Sequence, residues 1–197
     1  MVEAKRVDFT ASFEDIVRLV RALPGLTIFK LAYFNVLKLA DTFGRPVPYV
    51  QLAFDGITHF TFAGRADVSS GTSMPYAELC TLLSSFRTLE ELVLDDIDID
   101  NTRASGAISL PSFRSLRKLV IHRCDDIARL VENLTTQVGN SQLPLLRYLE
   151  VGNITPRSQD AAHRLIEALA PQLTSLTLGY DYIVDLQDCE CSSAPKV

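Results

Sequence analysis

A short apolar pattern, L-x-x-L-x-L with other large apolar residues allowed, recurs six times along this chain of 197 residues. Its clearest copy is LEELVL, in which Leu89, Leu92 and Leu94 hold the three apolar positions. The remaining copies, LTIFKL, ITHFTF, LRKLVI, LRYLEV and LTSLTL, begin at Leu26, Ile57, Leu116, Leu146 and Leu173. Consecutive copies start between 27 and 32 residues apart. A recurrence at a period of roughly 20–50 residues is typical of proteins built from stacked structural repeats.

The pattern within each copy is that of the strand in a leucine-rich repeat. Between copies, apolar residues at helical spacing predict helices over 12–23, from Pro75 to about Phe86, from Asp125 or Asp126 to about Gln137, and after Ser158. One strand with one helix cannot bury its own apolar side, so neighbouring units must stack into a continuous core. The sequence therefore predicts an α/β leucine-rich-repeat solenoid of about six irregular strand–helix repeats with one parallel sheet.

The limits of the pattern define the expected domain. We expect a flexible N-terminus over residues 1–11, the repeat domain over 12–186 and a disordered tail over 187–197. Two connections lack a helical period: residues 42–54, which are rich in proline and glycine, and residues 97–113, which we expect to be extended or to form a brief 3₁₀ turn. No further helix follows the sixth strand to cover it.

The composition excludes several classes of protein. A net charge of −5 argues against nucleic-acid binding, which needs a basic surface. No apolar stretch approaches the roughly 18 residues of a membrane span, and the charged N-terminus does not resemble a secretory signal. The four cysteines, Cys80, Cys124, Cys189 and Cys191, are irregularly spaced, which favours reduced thiols and a cytoplasmic or nuclear location.

The alternation of side chains along a strand identifies the residues that point away from the core. Apolar residues beside charged ones in this outward set are typical of a protein-contact surface. The other interpretation is that they are simply residues that favour strands, on an inert sheet. The outward set is Ile28, Lys30, His59, Thr61, Glu91, Val93, Lys118, Val120, Tyr148, Glu150, Ser175 and Thr177. The partner-binding residues that we predict within it are Ile28, Lys30, His59, Glu91, Val93, Lys118, Val120, Tyr148 and Glu150.

The other residues that could carry out chemistry are better explained as structural or solvent-exposed residues without a catalytic or metal-binding role. The histidines, His59, His122 and His163, lie in separate repeats, and no nucleophilic residue lies at a spacing from them that would indicate a catalytic site. The pair Cys189 and Cys191 could be half of a metal clip, but no second ligand pair lies near it. The acidic run from Asp95 to Asp100 lacks the glycine and distal glutamate of a calcium loop, so we expect a solvated loop. With no nucleophile elbow or phosphate loop, we predict no enzyme, no cofactor and no metal.

The segment LRKLVIHRCDDI resembles the cysteine-containing leucine-rich repeat, with Cys124 and Ile127 in register. Together with FRTLEELVLDDIDI and FEDIVRLVRALPGL, it is similar to the leucine-rich regions of fungal F-box proteins, especially those of mushroom-forming fungi. The likeness covers the chain from about Phe13 to Ile183.

The resemblance implies the target-binding half of a ubiquitin-ligase substrate receptor. In that family an F-box precedes the repeats and docks on the ligase adaptor, but no such helix is found before the first repeat of this sequence. We therefore expect protein targets on the strand face, and a ligase adaptor only if an F-box exists outside this chain. The alternatives are a free-standing leucine-rich-repeat scaffold or a gene fragment without a ligase link. A compact α/β enzyme whose strands imitate repeats is a third.

Overall fold

A computed structural model of the chain describes residues 18–32, 54–64, 74–100, 110–124, 126–155 and 157–180. The strands within these ranges are β1 (Ile28–Ala32), β2 (His59–Ala63), β3 (Met74–Pro75), β4 (Glu91–Asp95), β5 (Ile99–Asp100), β6 (Lys118–His122), β7 (Tyr148–Ile154) and β8 (Ser175–Tyr180). The helices are α1 (described over 18–21), α2 (Tyr76–Ser84), α3 (Ala128–Gly139) and α4 (Gln159–Leu169). The predictions for residues 1–11, for nearly all of 42–54 and for 187–197 lie outside the described residues.

Six strands form one sheet in which every neighbouring pair is parallel. The strand order, β1-β2-β4-β6-β7-β8, follows the order of the chain. These six strands are the six copies of the sequence pattern, and the register places equivalent positions opposite one another. The middle apolar position, for example, forms the row Phe29, Phe60, Leu92, Leu119, Leu149 and Leu176. The prediction of an α/β fold built on a parallel sheet is confirmed.

One backbone carbonyl per strand fixes this register. The residue after the first apolar position accepts hydrogen bonds from two consecutive N–H groups of the next strand. Thr27, for example, accepts from Thr58 and His59, and the same arrangement is repeated at every later step across the sheet. The equivalent acceptors are Thr27, Thr58, Glu90, Arg117 and Arg147, with N···O distances of 2.7–3.1 Å. Because each carbonyl serves two donors at one point, a strand cannot slide along its neighbour without losing both bonds.

The core lies between the sheet and the helices. In the four central strands the three apolar positions of the pattern are buried, and they pack in one cluster with apolar residues of α2, α3 and α4. The first strands fill this space with aromatic rings: Phe60 lies 4.4 Å from Phe86 and 5.7 Å from Phe29, measured between ring centroids. A further apolar position, three residues before each central strand pattern, is also buried; it holds Phe54, Phe86, Phe113 and Leu143.

The sixth copy of the pattern differs from the others. Leu176 occupies the same row as the fully buried Leu149 but is 43% exposed, and Leu173 and Leu178 are only partly buried. Among the described residues, β8 is the last strand of the sheet, so its inward side chains lack the neighbouring unit that covers the others.

The three helices α2, α3 and α4 begin and end close to the predicted residues, whereas the predicted start of α1 lies outside the described ranges. Helix α3 starts at Ala128, slightly after the predicted Asp125 or Asp126, and ends at Gly139 rather than Gln137. Pro75 directly precedes α2 with an extended ψ of 132°, where its missing N–H costs nothing. The buried side of α4 consists of Ala161, Ala162, Leu165 and Leu169, with Ile166 partly buried beside them.

A second, two-stranded sheet was not predicted. Met74–Pro75 pairs in parallel with Ile99–Asp100, so the segment after β4 is indeed extended at its start. The acidic run is therefore divided between β4, the turn after it and β5. The side chain of Asp95 is bound by Arg123, with Nε–Oδ1 of 3.0 Å and Nη2–Oδ2 of 2.7 Å.

Near the end of three strands the backbone enters the left-handed region, just after β4 and β6 and within the irregular end of β7. The residue two positions beyond the third apolar residue has a positive φ in each case: 57° at Asp96, 47° at Arg123 and 56° at Asn153. Such values are uncommon for residues other than glycine, although asparagine and aspartate tolerate them better than most. The next residue, Ile97, Cys124 or Ile154, then turns back into the core, where it is buried. Cys124 thus packs in the core as a small side chain.

Replacing leucine by alanine should lower the free energy of unfolding by different amounts at two positions of the same row. Leu119→Ala removes a fully buried side chain from the centre of the core and should lower the free energy of unfolding by about 2–5 kcal/mol. Leu176→Ala, in the same row but 43% exposed, should cost clearly less, because water already reaches that side chain. Urea unfolding of both variants measures the difference. Equal costs would contradict the assignment of Leu176 to an uncovered end of the core.

Candidate protein-binding face

The side of the sheet that points away from the helices forms three rows across the strands, which we call the outer face. The first row is Ile28, His59, Glu91, Lys118, Tyr148 and Ser175, and the second is Lys30, Thr61, Val93, Val120, Glu150 and Thr177. The alternation continues into a third row, which contains Ala63, Asp95 and His122. All twelve residues predicted to point outward therefore share this face, in two straight rows.

The nine residues predicted to bind a partner differ in how much of their surface is available. Ile28 is 55% exposed and Lys30 is exposed, whereas most of the others are half-buried. Val120 was expected to be an exposed apolar anchor, and this is wrong, because it is buried. It lies between Val93 and Glu150 in its row. On its own strand it lies between Lys118, which reaches Glu91 on one neighbouring strand, and His122, which reaches Glu150 on the other.

A chain of polar contacts begins at Glu91, in the centre of the first row. Its carboxylate accepts a hydrogen bond from the Nζ of Lys118 on the next strand at 2.9 Å. Its other oxygen lies 3.9 Å from the Nε2 of His59 on the preceding strand. Lys118 also lies over the ring of Tyr148, with 5.3 Å between Nζ and the ring centroid. One carboxylate thus links β2, β4 and β6, and a cation–aromatic contact extends the chain to β7.

Glu150 continues this chain from the first row into the third. One of its carboxylate oxygens accepts a hydrogen bond from the Tyr148 hydroxyl at 2.7 Å, and the other accepts from His122 Nε2, also at 2.7 Å. Short contacts of this kind are charge-assisted and position both partners. The outer face is therefore covered by an uninterrupted set of contacts from His59 on β2 to Glu150 on β7.

These contacts shift the acid–base behaviour of two groups. The hydrogen bond from Tyr148, and after it the one from His122, lowers the pKa of the Glu150 carboxyl below its ordinary value. The hydrogen bond to Glu91 raises the pKa of the Lys118 amino group. Both groups are consequently held in their charged forms at neutral pH.

Gly152 on β7 makes room for His122. A Cβ atom at this position would lie 2.9 Å from Cδ2 of the imidazole and 3.5 Å from its Nε2. The ring therefore rests on the bare backbone of the neighbouring strand, from which it reaches Glu150. His122, Asp95 and Gly152 were absent from the predicted binding set, although extending the alternation by one step from Val120 would have found His122.

Other groups lie away from this face. Cys80 and Cys124 are buried free thiols, and burial raises the pKa of Cys80, which disfavours the reactive thiolate. The third histidine, His163, forms a hydrogen bond with the Tyr180 hydroxyl at 3.1 Å, between α4 and β8. Within the described ranges, no cluster of three or more metal-ligating side chains occurs and no helix is long and apolar enough to span a membrane. Cys189 and Cys191 lie outside those ranges.

The outer face can position hydrogen-bond donors, because both of its glutamates are already occupied by side chains of the chain itself. It also offers an exposed apolar residue, Ile28, at one edge. Comparison with known proteins gave no match to any family model, curated protein or solved structure.

The close approach at Gly152 gives a test of how the face is assembled. Gly152→Ala should displace the His122 ring and break its bond to Glu150, so an Nε2–H signal of His122 that this bond protects from exchange should be lost from the NMR spectrum. Gly139→Ala is a matched control, because a Cβ atom there meets nothing within 4 Å. A retained Nε2–H signal in Gly152→Ala would contradict the packing of the ring on the glycine.

The lowered pKa of Glu150 predicts how stability depends on pH. Since the folded carboxyl has a lower pKa than the unfolded one, its stabilising contribution is complete above about pH 4.5 and is lost as the pH falls through the folded value. Wild type should therefore be more stable than Glu150→Gln at pH 7, and this advantage should shrink at acid pH. Urea unfolding between pH 7 and pH 3 measures it, with Glu132→Gln on the exposed surface of α3 as the control. An advantage that grew on acidification would refute the assignment.

Proposed function

We propose that the chain is a leucine-rich-repeat solenoid that binds a protein target through its outer face, as the target-recognition half of an F-box-like ubiquitin-ligase substrate receptor. The observation that carries the proposal is the outer face itself: six strands in common register present two straight rows of polar and apolar side chains. Parallel strands lie about 4.8 Å apart, so the rows form a wide, regular surface of the kind that extended repeat proteins use for binding.

The repeat architecture is supported by three features that recur in five, four and three of the copies, respectively. The carbonyl acceptor of each step, the buried apolar residue before the strand and the positive-φ residue near its end occur at equivalent positions of successive copies. The segment Leu116–Ile127, which resembles the cysteine-containing repeat, has all five of its pattern residues buried: Leu116, Leu119, Ile121, Cys124 and Ile127.

The contacts on the outer face also favour binding over an inert sheet. Side chains that served only to satisfy strand propensity would not need short charge-assisted bonds from strand to strand, such as Lys118–Glu91 at 2.9 Å and His122–Glu150 at 2.7 Å. Such bonds restrict the rotamers of long side chains before a partner arrives, which lowers the entropy cost of binding. The cytoplasm or nucleus, where a ubiquitin ligase acts, is the location that this proposal implies.

The test is recovery of partners on a tagged chain, followed by mass spectrometry. The triple variant Lys118→Glu, Tyr148→Ala and Glu150→Lys should reduce recovery of a specific partner at least about tenfold, which corresponds to about 1.4 kcal/mol of binding free energy. Ile28→Asp, which leaves the hydrogen-bonded network intact, should weaken the same partner if the edge of the face takes part. The matched control reverses a charge pair on the helical side, Glu132→Arg with Arg164→Glu.

The outcomes separate the alternatives. Co-purification of the ligase adaptor supports the receptor role, and partners without the adaptor indicate a free-standing binding scaffold. Undiminished recovery by a triple variant that remains folded in circular dichroism would show that the outer face is not the binding site.

A further inference from the structure

In the ion pairs of the outer face, the acidic side chains are less exposed to solvent than their basic partners. We call this arrangement layering, with the acids beneath the bases. In the pairs on or bordering this face, the side chains of Glu91, Glu150 and Asp95 are 20–28% exposed, whereas their partners, His59, Lys118, His122 and Arg123, are 38–59% exposed. In the pairs away from the outer face, acids and bases are similarly accessible, the acids being 46–64% exposed and the bases 56–68%. The layering is thus a property of the outer face and does not simply reflect the greater length of basic side chains.

The layering decides which chemical groups an arriving molecule meets. Each carboxylate is turned toward donors of its own chain: Glu91 toward Lys118 and His59, and Glu150 toward Tyr148 and His122. The basic groups lie above them, and Lys118 retains unused N–H bonds, since a lysine ammonium has three donors and Glu91 uses only one of them. The histidines are engaged within the chain, His59 Nδ1 with the Thr58 hydroxyl at 2.8 Å and His122 Nε2 with Glu150. Lys30 adds an exposed ammonium at the β1 edge, where the described residues include no carboxylate within ion-pair distance of it.

From this arrangement we infer that the outer face binds an acidic segment of its protein partner, whose carboxylates meet the ammonium groups of Lys30 and Lys118. The inference rests on the proposed function and adds the chemistry of the partner to it. The expected segment is carboxylate-rich and carries an apolar residue for the exposed Ile28 at the same edge as Lys30. Lys30 on β1 and Lys118 on β6 stand three strands apart, a separation of roughly 15 Å, which about five residues of an extended peptide span.

The outer face does not share the negative charge of the whole chain: with histidines counted as neutral, Lys30 and Lys118 balance Glu91 and Glu150, and Arg123 balances Asp95. The net charge is −5, but opposite charges act mainly within a Debye length of about 8 Å at physiological salt. A carboxylate seated on the outer face therefore interacts chiefly with the ammonium groups of Lys30 and Lys118, and only weakly with acidic groups on the helical side. The same negative total disfavours a nucleic acid, whose many phosphates would extend beyond the outer face.

The experiment measures binding of labelled decapeptides to the full chain by fluorescence anisotropy at about 0.15 M salt. Three peptides share one glycine–serine sequence with a single leucine and differ only at four positions, which carry glutamate, glutamine or lysine. The glutamate peptide should bind at least tenfold more tightly than the glutamine peptide, and the lysine peptide should bind least.

Two double variants then locate the binding. Lys30→Gln with Lys118→Gln should weaken the glutamate peptide at least tenfold. Arg114→Gln with Arg157→Gln removes the same number of positive charges from exposed turns outside the outer face. This control pair should change the affinity for the glutamate peptide less than twofold. Equal losses in both pairs would show a nonspecific charge effect and overturn the inference.

The remaining outcomes are also decisive. Equal or tighter binding of the glutamine or lysine peptide, or no binding of the glutamate peptide at millimolar concentration, overturns the acidic partner. If capture of a protein still depends on Lys118, Tyr148 and Glu150, the proposed function survives that failure. A decathymidine oligonucleotide that competed as well as the glutamate peptide would replace the acidic segment with a general polyanion and likewise overturn the inference.

Discussion

The fold depends on one constraint: each strand of the main sheet has a buried face and an open face, and all six must agree on which is which. A slip of a single residue between two strands would turn a row of leucines toward water and a row of charges toward the core. The repeated carbonyl of Thr27, Thr58, Glu90, Arg117 and Arg147, each holding two N–H groups of the next strand, prevents such a slip. The connections between strands can consequently vary in length and structure while the sheet remains regular.

The same register creates the outer face. The contacts that cross it join residues one repeat apart in sequence, such as Lys118 with Glu91 at a separation of 27 and His122 with Glu150 at a separation of 28. Both pairs join side chains that lie opposite or nearly opposite one another on adjacent strands, whereas Tyr148 with Glu150 is a contact along one strand. The network is therefore a product of stacking, and its geometry is inherited from the buried leucines on the other side of the sheet.

Periodicity alone predicted most of the architecture, because the apolar pattern, the alternation of side chains and the helical spacing are local properties of the sequence. It placed all nine candidate residues on one face and located the helices to within a few residues. It could not predict that Val120 is buried, since burial depends on the packing around the strand and not on the alternation along it. The left-handed turn was missed for a related reason: Asp96 and Asn153 suit a positive φ, but Arg123 at the same position carries no such signal. The pairing of Met74–Pro75 with Ile99–Asp100 involves only two residues of each strand, which is too short to leave a periodic pattern in the sequence.

The contacts of the outer face have little to do with keeping the chain folded. Partly exposed ion pairs contribute about 0–1 kcal/mol each, whereas a single buried leucine of the core contributes several times as much. The stability of the fold thus depends mainly on the buried side of the sheet, whereas the polar and charged contacts lie on the outer face. This division allows the outward residues to change with little effect on folding, provided that strand-forming side chains are kept. Placing the carboxylates beneath the bases also has a physical consequence of its own, because it fixes the position of each donor through a bond that a partner need not break. A binding surface arranged in this way gains affinity from donors that are already in place, without requiring the scaffold beneath it to move.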